Sequence, residues 1–79
     1  MSKLKVLTAK ELEKLLLSIG FLKVRQNGSH GFYNHKDGRT TVIPLHVGRD
    51  LTRPMIRTIL REIDLTIDEY NDLLSYTAI

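Results

Sequence analysis

The chain has 79 residues, 42% hydrophobic and 27% charged, with a formal net charge of +3 and no cysteine. That is the composition of one small folded domain over residues 1–79 rather than of a disordered chain, and it leaves no disulfide or thiolate metal site available. No apolar run approaches the roughly 18 residues that cross a bilayer, and residues 1–7 carry charge without the apolar core of a secretion signal, so a cytoplasmic protein without membrane association is expected. The mild excess of positive charge suits an anionic partner such as nucleic acid.

Thr8-Ala9-Lys10-Glu11 has the form of a capping box, in which the threonine hydroxyl accepts from the backbone and the glutamate reaches back. Leu12, Leu15, Leu16 and Ile19 follow at helical spacing, and Gly20 suits the left-handed position just past a helix end, with Phe21 packing behind it. A helix is therefore predicted over about residues 8–19. From Phe21 the period drops to two, predicting a strand over 21–26 with Leu22 and Val24 on one face and Lys23 and Arg25 on the other. Asn27-Gly28 matches a type I′ hairpin turn, whose two central residues both take positive φ.

A second strand is predicted over 29–35, a turn at Lys36-Asp37-Gly38, and a third strand over 39–45 rich in β-branched residues. Pro44 marks a strand end or an edge, because proline has no N–H for the ladder. After a loop over 46–50, Thr52 is a candidate N-cap and Pro54 fits the first turn of a second helix. Met55, Ile56, Ile59, Leu60 and Ile63 form its apolar stripe, while Arg53, Arg57 and Arg61 recur every four residues on another face. Thr66-Ile67-Asp68-Glu69 repeats the capping-box pattern and opens a short terminal helix carrying Tyr70, Leu73 and Leu74. The predicted fold is α+β: α-β-β-β-α with a three-stranded antiparallel sheet covered on one face by two helices, plus a short C-terminal helix. Double-stranded-RNA-binding domains share that order.

The residues that carry chemistry are His30, His35 and His46, since histidine is the side chain whose charge changes near neutral pH. They do not make a metal site: His30 and His35 point to opposite faces of one strand, and no cysteine or carboxylate cluster completes a coordination sphere. An isolated histidine is by default solvated or hydrogen-bonded without chemistry, and His35 is read that way. His30 stands apart because it follows a tight turn, beside Ser29, with glycines at 28 and 31 that leave room for a bulky backbone. For Gly31 the alternatives are a bulge or packing against a helix. Strand parity leaves two arrangements open. Either Phe32 is core and His30 lies at the sheet's rim, or Tyr33 is core and Phe32 offers a stacking surface. Lys23, Arg25, Lys36, Arg39, Arg49, Arg53 and Arg57 are the candidate phosphate contacts, joined by backbone N–H groups at the start of the second helix.

The ordered set Lys10-Glu11-Leu12, Leu15-Leu16, Gly20-Phe21, Gly28-Ser29-His30, Pro44-x-His46 and Ile59-Leu60 resembles the HicA-type mRNA interferase toxins, over about residues 8–70. The resemblance implies a toxin with a double-stranded-RNA-binding-like fold that cleaves mRNA, is active through the histidine of its Gly-Ser-His motif, here His30, and is neutralised by a HicB-type antitoxin. Family members commonly place a second histidine next, where this chain has Gly31. On this reading His30 works as base or acid in attack by the RNA's own 2′-hydroxyl, without metal or cofactor. Ser29, and less directly Gly28 and His46, are candidate supporting residues. The alternatives are a non-catalytic RNA-binding module of the same fold and a protein-interaction domain whose basic face binds an acidic partner.

Overall fold

A computed structural model describes residues 3–46 and 48–77; Val47, in the loop expected after the third strand, lies outside them. The elements are α1 (Ala9–Ser18), β1 (Phe21–Asn27), β2 (His30–His35), β3 (Thr40–Pro44), α2 (Arg53–Glu62) and α3 (Ile67–Thr77). The strands form one antiparallel sheet in the order β1-β2-β3. The predicted α+β meander with its covering helices is the observed fold.

Local chemistry sets the element ends. At α1 the Glu11 N–H donates to the Thr8 hydroxyl over 3.2 Å and the Thr8 N–H donates to the Glu11 carboxylate over 2.9 Å, which satisfies two otherwise orphaned donors. Gly20 ends the helix at φ +100°, a conformation costly for any residue with a Cβ. Thr52 caps α2, and Thr66 with Glu69 forms the same reciprocal pair before α3. With 11 residues against 10 in α1 and α2, the terminal helix is one residue longer than the others, not short as expected.

The core lies between the inner sheet face and the helices. Phe21, Tyr33 and Ile43 meet Leu12, Leu15 and Leu16 of α1 and Ile56, Ile59 and Leu60 of α2, each buried side chain contributing about 1.5–3 kcal/mol. Leu4 and Leu7 join this core, although no periodicity marked them. Their segment is held by α3, where the Tyr70 hydroxyl donates to the Lys5 carbonyl over 2.6 Å and the Asn71 amide donates to the Lys3 carbonyl over 3.0 Å.

Three details of the sheet differ from, or decide between, the sequence expectations. The hairpin turn is centred on Gly28 and Ser29, with Asn27 paired to His30. Positive φ occurs at Gly28 and not at Ser29 or Asn27, as in a type II′ turn, whose first central residue alone is left-handed. Next, β1 carries a bulge between Lys23 and Arg25: Lys23 pairs with Tyr33 and Arg25 with Phe32, leaving Val24 as the extra residue. A bulge inverts the alternation beyond it, so Lys23 faces the helices and Arg25 faces away, contrary to the shared face expected for them. Finally, Tyr33 is fully buried, which puts His30, Phe32 and Asn34 together on the uncovered face.

Candidate functional site

Two histidines leave β2 in opposite directions and are held in opposite ways. His35 points inward, where Nε2 meets the Ile19 carbonyl at 3.1 Å and Nδ1 accepts from the Asp37 N–H at 3.1 Å. Its ring packs edge-on against Phe21 at 5.0 Å, and its Nε2 lies 2.9 Å from where a Cβ on Gly20 would stand. It fastens the end of α1 to the second hairpin turn, as an anchored histidine without chemistry. His30 is exposed, and its imidazole has no hydrogen bond or ion pair among the described residues. It borders an open groove of about 460 Å³ between the β3 edge and α2, walled by Val42, Pro44, Thr52, Met55, Ile59 and Glu62.

The turn that presents His30 is fixed from beneath. Glu13 of α1 accepts a short hydrogen bond from the Tyr33 hydroxyl and pairs with Lys23 at 3.1 Å. Lys23 donates to the Gln26 side-chain carbonyl over 3.2 Å, and the Gln26 amide donates to the Gly28 carbonyl over 3.3 Å. On the other side the Leu45 N–H donates to the Ser29 carbonyl over 2.5 Å. The hairpin tip is thus tied both to a helix and to the exit of β3, and loops positioned by rigid elements are where reactive groups are held best. No periodicity in the sequence could reveal the contact from Glu13 to Tyr33, twenty residues apart.

This network has an electrostatic signature. Burial by itself would raise Glu13, but the Tyr33 hydroxyl and the charges of Lys23 and Lys10 outweigh it and hold the carboxyl below its ordinary 4.5. Burial, then the hydrogen bond to Glu13, pushes the Tyr33 phenol well above its ordinary value. A carboxyl that ionises more readily folded than unfolded contributes stability above about pH 4.5 and loses it as the pH falls further. Tyr33→Phe is expected to cost about 1–2 kcal/mol in urea unfolding at pH 7. It should also flatten the loss of stability below pH 4.5; an unchanged acid limb would show that this pair does not set it.

Gly31 is buried, and a Cβ there would stand 2.8 Å from the Tyr33 hydroxyl and 3.0 Å from Leu45 Cδ1. It serves close packing, not access for a ligand, which corrects the open-space expectation. Gly28 does face open space, at φ +60°. The Ser29 hydroxyl, like the His30 ring, has no hydrogen bond among the described residues. His46 lines a different recess, with Thr8, Lys10, Glu13 and Leu45, so the structure does not bring it into the His30 groove.

The seven basic candidates divide. Arg39 donates to the Asp37 carboxylate over 2.8 Å and to the Ile63 carbonyl over 2.5 Å, with its guanidinium 5.2 Å from the Phe21 ring centre; it rivets the second hairpin turn to the end of α2. Lys23 is taken up in the network under the turn. Arg25 lies 4.4 Å above the Phe32 ring on the same sheet face as His30, and Lys36, Arg49, Arg53 and Arg57 are exposed. At the start of α2 the Thr52 cap takes the Met55 N–H and Pro54 has none, so the Arg53 amide is what that terminus offers an anion. Among the described residues no group of three or more His, Asp or Glu side chains gathers as a metal site, and no helix is long and apolar enough to cross a membrane.

An exposed histidine on a braced turn, without a hydrogen bond among the described residues, is chemically able to pass a proton to or from a ligand in that groove. A comparison with protein families matches residues 9–65 to the family described as HicA toxin of bacterial toxin–antitoxin. The chain belongs to the HicA toxin family. It is thus a toxin of a toxin–antitoxin system, and such a system supplies it with an antitoxin partner. No curated protein matches the chain. The HicA match runs from α1 through α2 and takes in His30, Ser29, His46 and all seven basic candidates. It stops short of α3, the helix that straps residues 3–7 to the HicA core.

Proposed function

We propose that this HicA toxin is a metal-independent endoribonuclease that cleaves mRNA, with His30 as its proton-transfer residue, and that a HicB-type antitoxin inhibits it by covering the His30 groove. The observation that carries this is the contrast on β2: one histidine is fully engaged by the fold, while the other is exposed and serves no structural purpose. RNA brings its own nucleophile. The 2′-oxygen attacks the adjacent phosphorus as its proton passes to a base, and the bond to the 5′-oxygen breaks as that oxygen takes a proton. His30 serves one of these two transfers, worth on the order of 10²–10⁴-fold. The exposed basic residues Arg25, Lys36, Arg49, Arg53 and Arg57 offset the charge that builds on the phosphoryl oxygens, and Ser29 supports the step by orienting the imidazole or touching that phosphate. The site lies where the cell keeps mRNA, the cytoplasm.

The products distinguish this chemistry from others. Purified protein incubated with a defined RNA in EDTA should yield fragments ending in 2′,3′-cyclic phosphate and 5′-hydroxyl. Ends bearing a 3′-hydroxyl would contradict attack by the 2′-oxygen, and cleavage that stops in EDTA would contradict metal independence. If the protein binds RNA and never cuts it, the module is a non-catalytic RNA binder.

A further inference from the structure

The sheet face left bare by the helices carries side chains that lie outside the hydrophobic core, among them a half-buried Phe32. Across it Arg25, Phe32 and Val42 form one row in register, and Asn27, His30 and Pro44 form the next. Val42 is 37% exposed and Leu22, one row beyond, is 68% exposed. None of the three strands contains an acidic residue. The guanidinium of Arg25 lies over the Phe32 ring, and it does so because the β1 bulge turns Arg25 outward; in unbroken register it would oppose Gly31 on the covered face.

We propose that Phe32, with Arg25 laid against it, is a base-stacking platform that makes unpaired, single-stranded RNA the substrate of the His30 groove. The ring and the guanidinium are both planar, and each stacks on a nucleobase. Bases in a duplex are paired and stacked on one another, so their faces cannot reach a side chain on a sheet face; unpaired bases can. Phe32 and His30 are two residues apart on one strand face, about 7 Å. A base seated on Phe32 therefore keeps its neighbouring phosphate within reach of the imidazole. Arg25, on strands that carry no acidic residue, attracts that phosphate chain. The ring has both apolar neighbours, Val42 opposite it and Leu22 and Val24 on β1, and polar ones, Asn34, His30 and Arg25, which can meet base edges.

This inference rests on RNA as the substrate, and the experiment separates the two. His30→Ala protein, which leaves RNA intact, is titrated with a short RNA carrying a fluorescent base analogue, single-stranded or annealed to its complement. The single strand should bind more tightly than the duplex and show the quenching of a stacked base. Phe32→Leu in the same background should weaken single-strand binding about tenfold or more and remove the quenching, and Phe32→Tyr should keep both, with all variants showing the same far-ultraviolet dichroism. Duplex bound as tightly as single strand, or Phe32→Leu binding as well as its parent, overturns the platform while leaving cleavage by His30 standing. Loss of antitoxin binding in Phe32→Leu with RNA binding unchanged overturns it too and gives the face to the antitoxin. If neither His30→Ala nor the unaltered protein binds any RNA, the platform and the nuclease reading fall together.

Discussion

His30→Ala is expected to abolish detectable cleavage of a defined RNA, a loss on the order of 10²–10⁴-fold if proton transfer is its whole contribution, while leaving the urea midpoint within the error of the measurement. The second half follows from the structure. The ring is exposed and without hydrogen bonds among the described residues, and substitutions at such positions usually change stability by no more than about 0.5 kcal/mol. Binding of a single-stranded RNA should persist, because phosphate contacts by arginine supply most of the affinity. His46→Ala is the matched control: it lies in another recess, so its cleavage rate should stay within a few-fold of the unaltered protein. If His46→Ala is as dead as His30→Ala, the acid–base pair spans both recesses and the one-groove description is wrong. If His30→Ala still cuts, the proton-transfer role must be given up.

The second large effect is expected at Gly31. Gly31→His should destabilise the protein by about 2–3 kcal/mol, and more if β2 cannot shift. The new Cβ would stand 2.8 Å from the Tyr33 hydroxyl and 2.9 Å from Cε1 of that ring. Leu45 can swing aside, being the far end of a flexible side chain. Tyr33 cannot, because it is fully buried and its hydroxyl is held by Glu13. A domain of this size has roughly 3–5 kcal/mol to lose, so the variant should be partly unfolded at 37 °C. Adding Tyr33→Ala should recover part of the loss by vacating the space, although that change alone is destabilising. The measurement is a double-mutant cycle in urea. A positive coupling means that the Tyr33 side chain fills the place of a residue-31 side chain in this chain, whereas additive effects would refute that exchange.

Much of the framework was legible because it is written in short-range rules. The capping boxes at Thr8 and Thr66, the Thr52 cap, the helix stop at Gly20 and the apolar stripes of α1 and α2 each depend on residues within about one or two helical turns, where spacing alone determines who meets whom. The position of His30 just after a tight turn was legible for the same reason. Its face was not. Period-two reasoning permits either Phe32 or Tyr33 as core, because both are aromatic and adjacent, and the β1 bulge alters the alternation without leaving any mark in composition.

By itself, then, the sequence determined the element order, the caps, the basic character, a tight turn just before His30 and the HicA resemblance, most of them properties of residues close together along the chain. Only the tertiary structure decided that Tyr33 goes inward, that Arg25 turns out to lie on Phe32, that Lys23 and Arg39 are spent holding hairpins to helices, and that Gly31 has no room for a side chain. Each of those outcomes depends on which distant groups compete for the same buried volume or the same charge. Packing at near-crystalline density settles such contests three-dimensionally, and a local pattern carries no record of the winner.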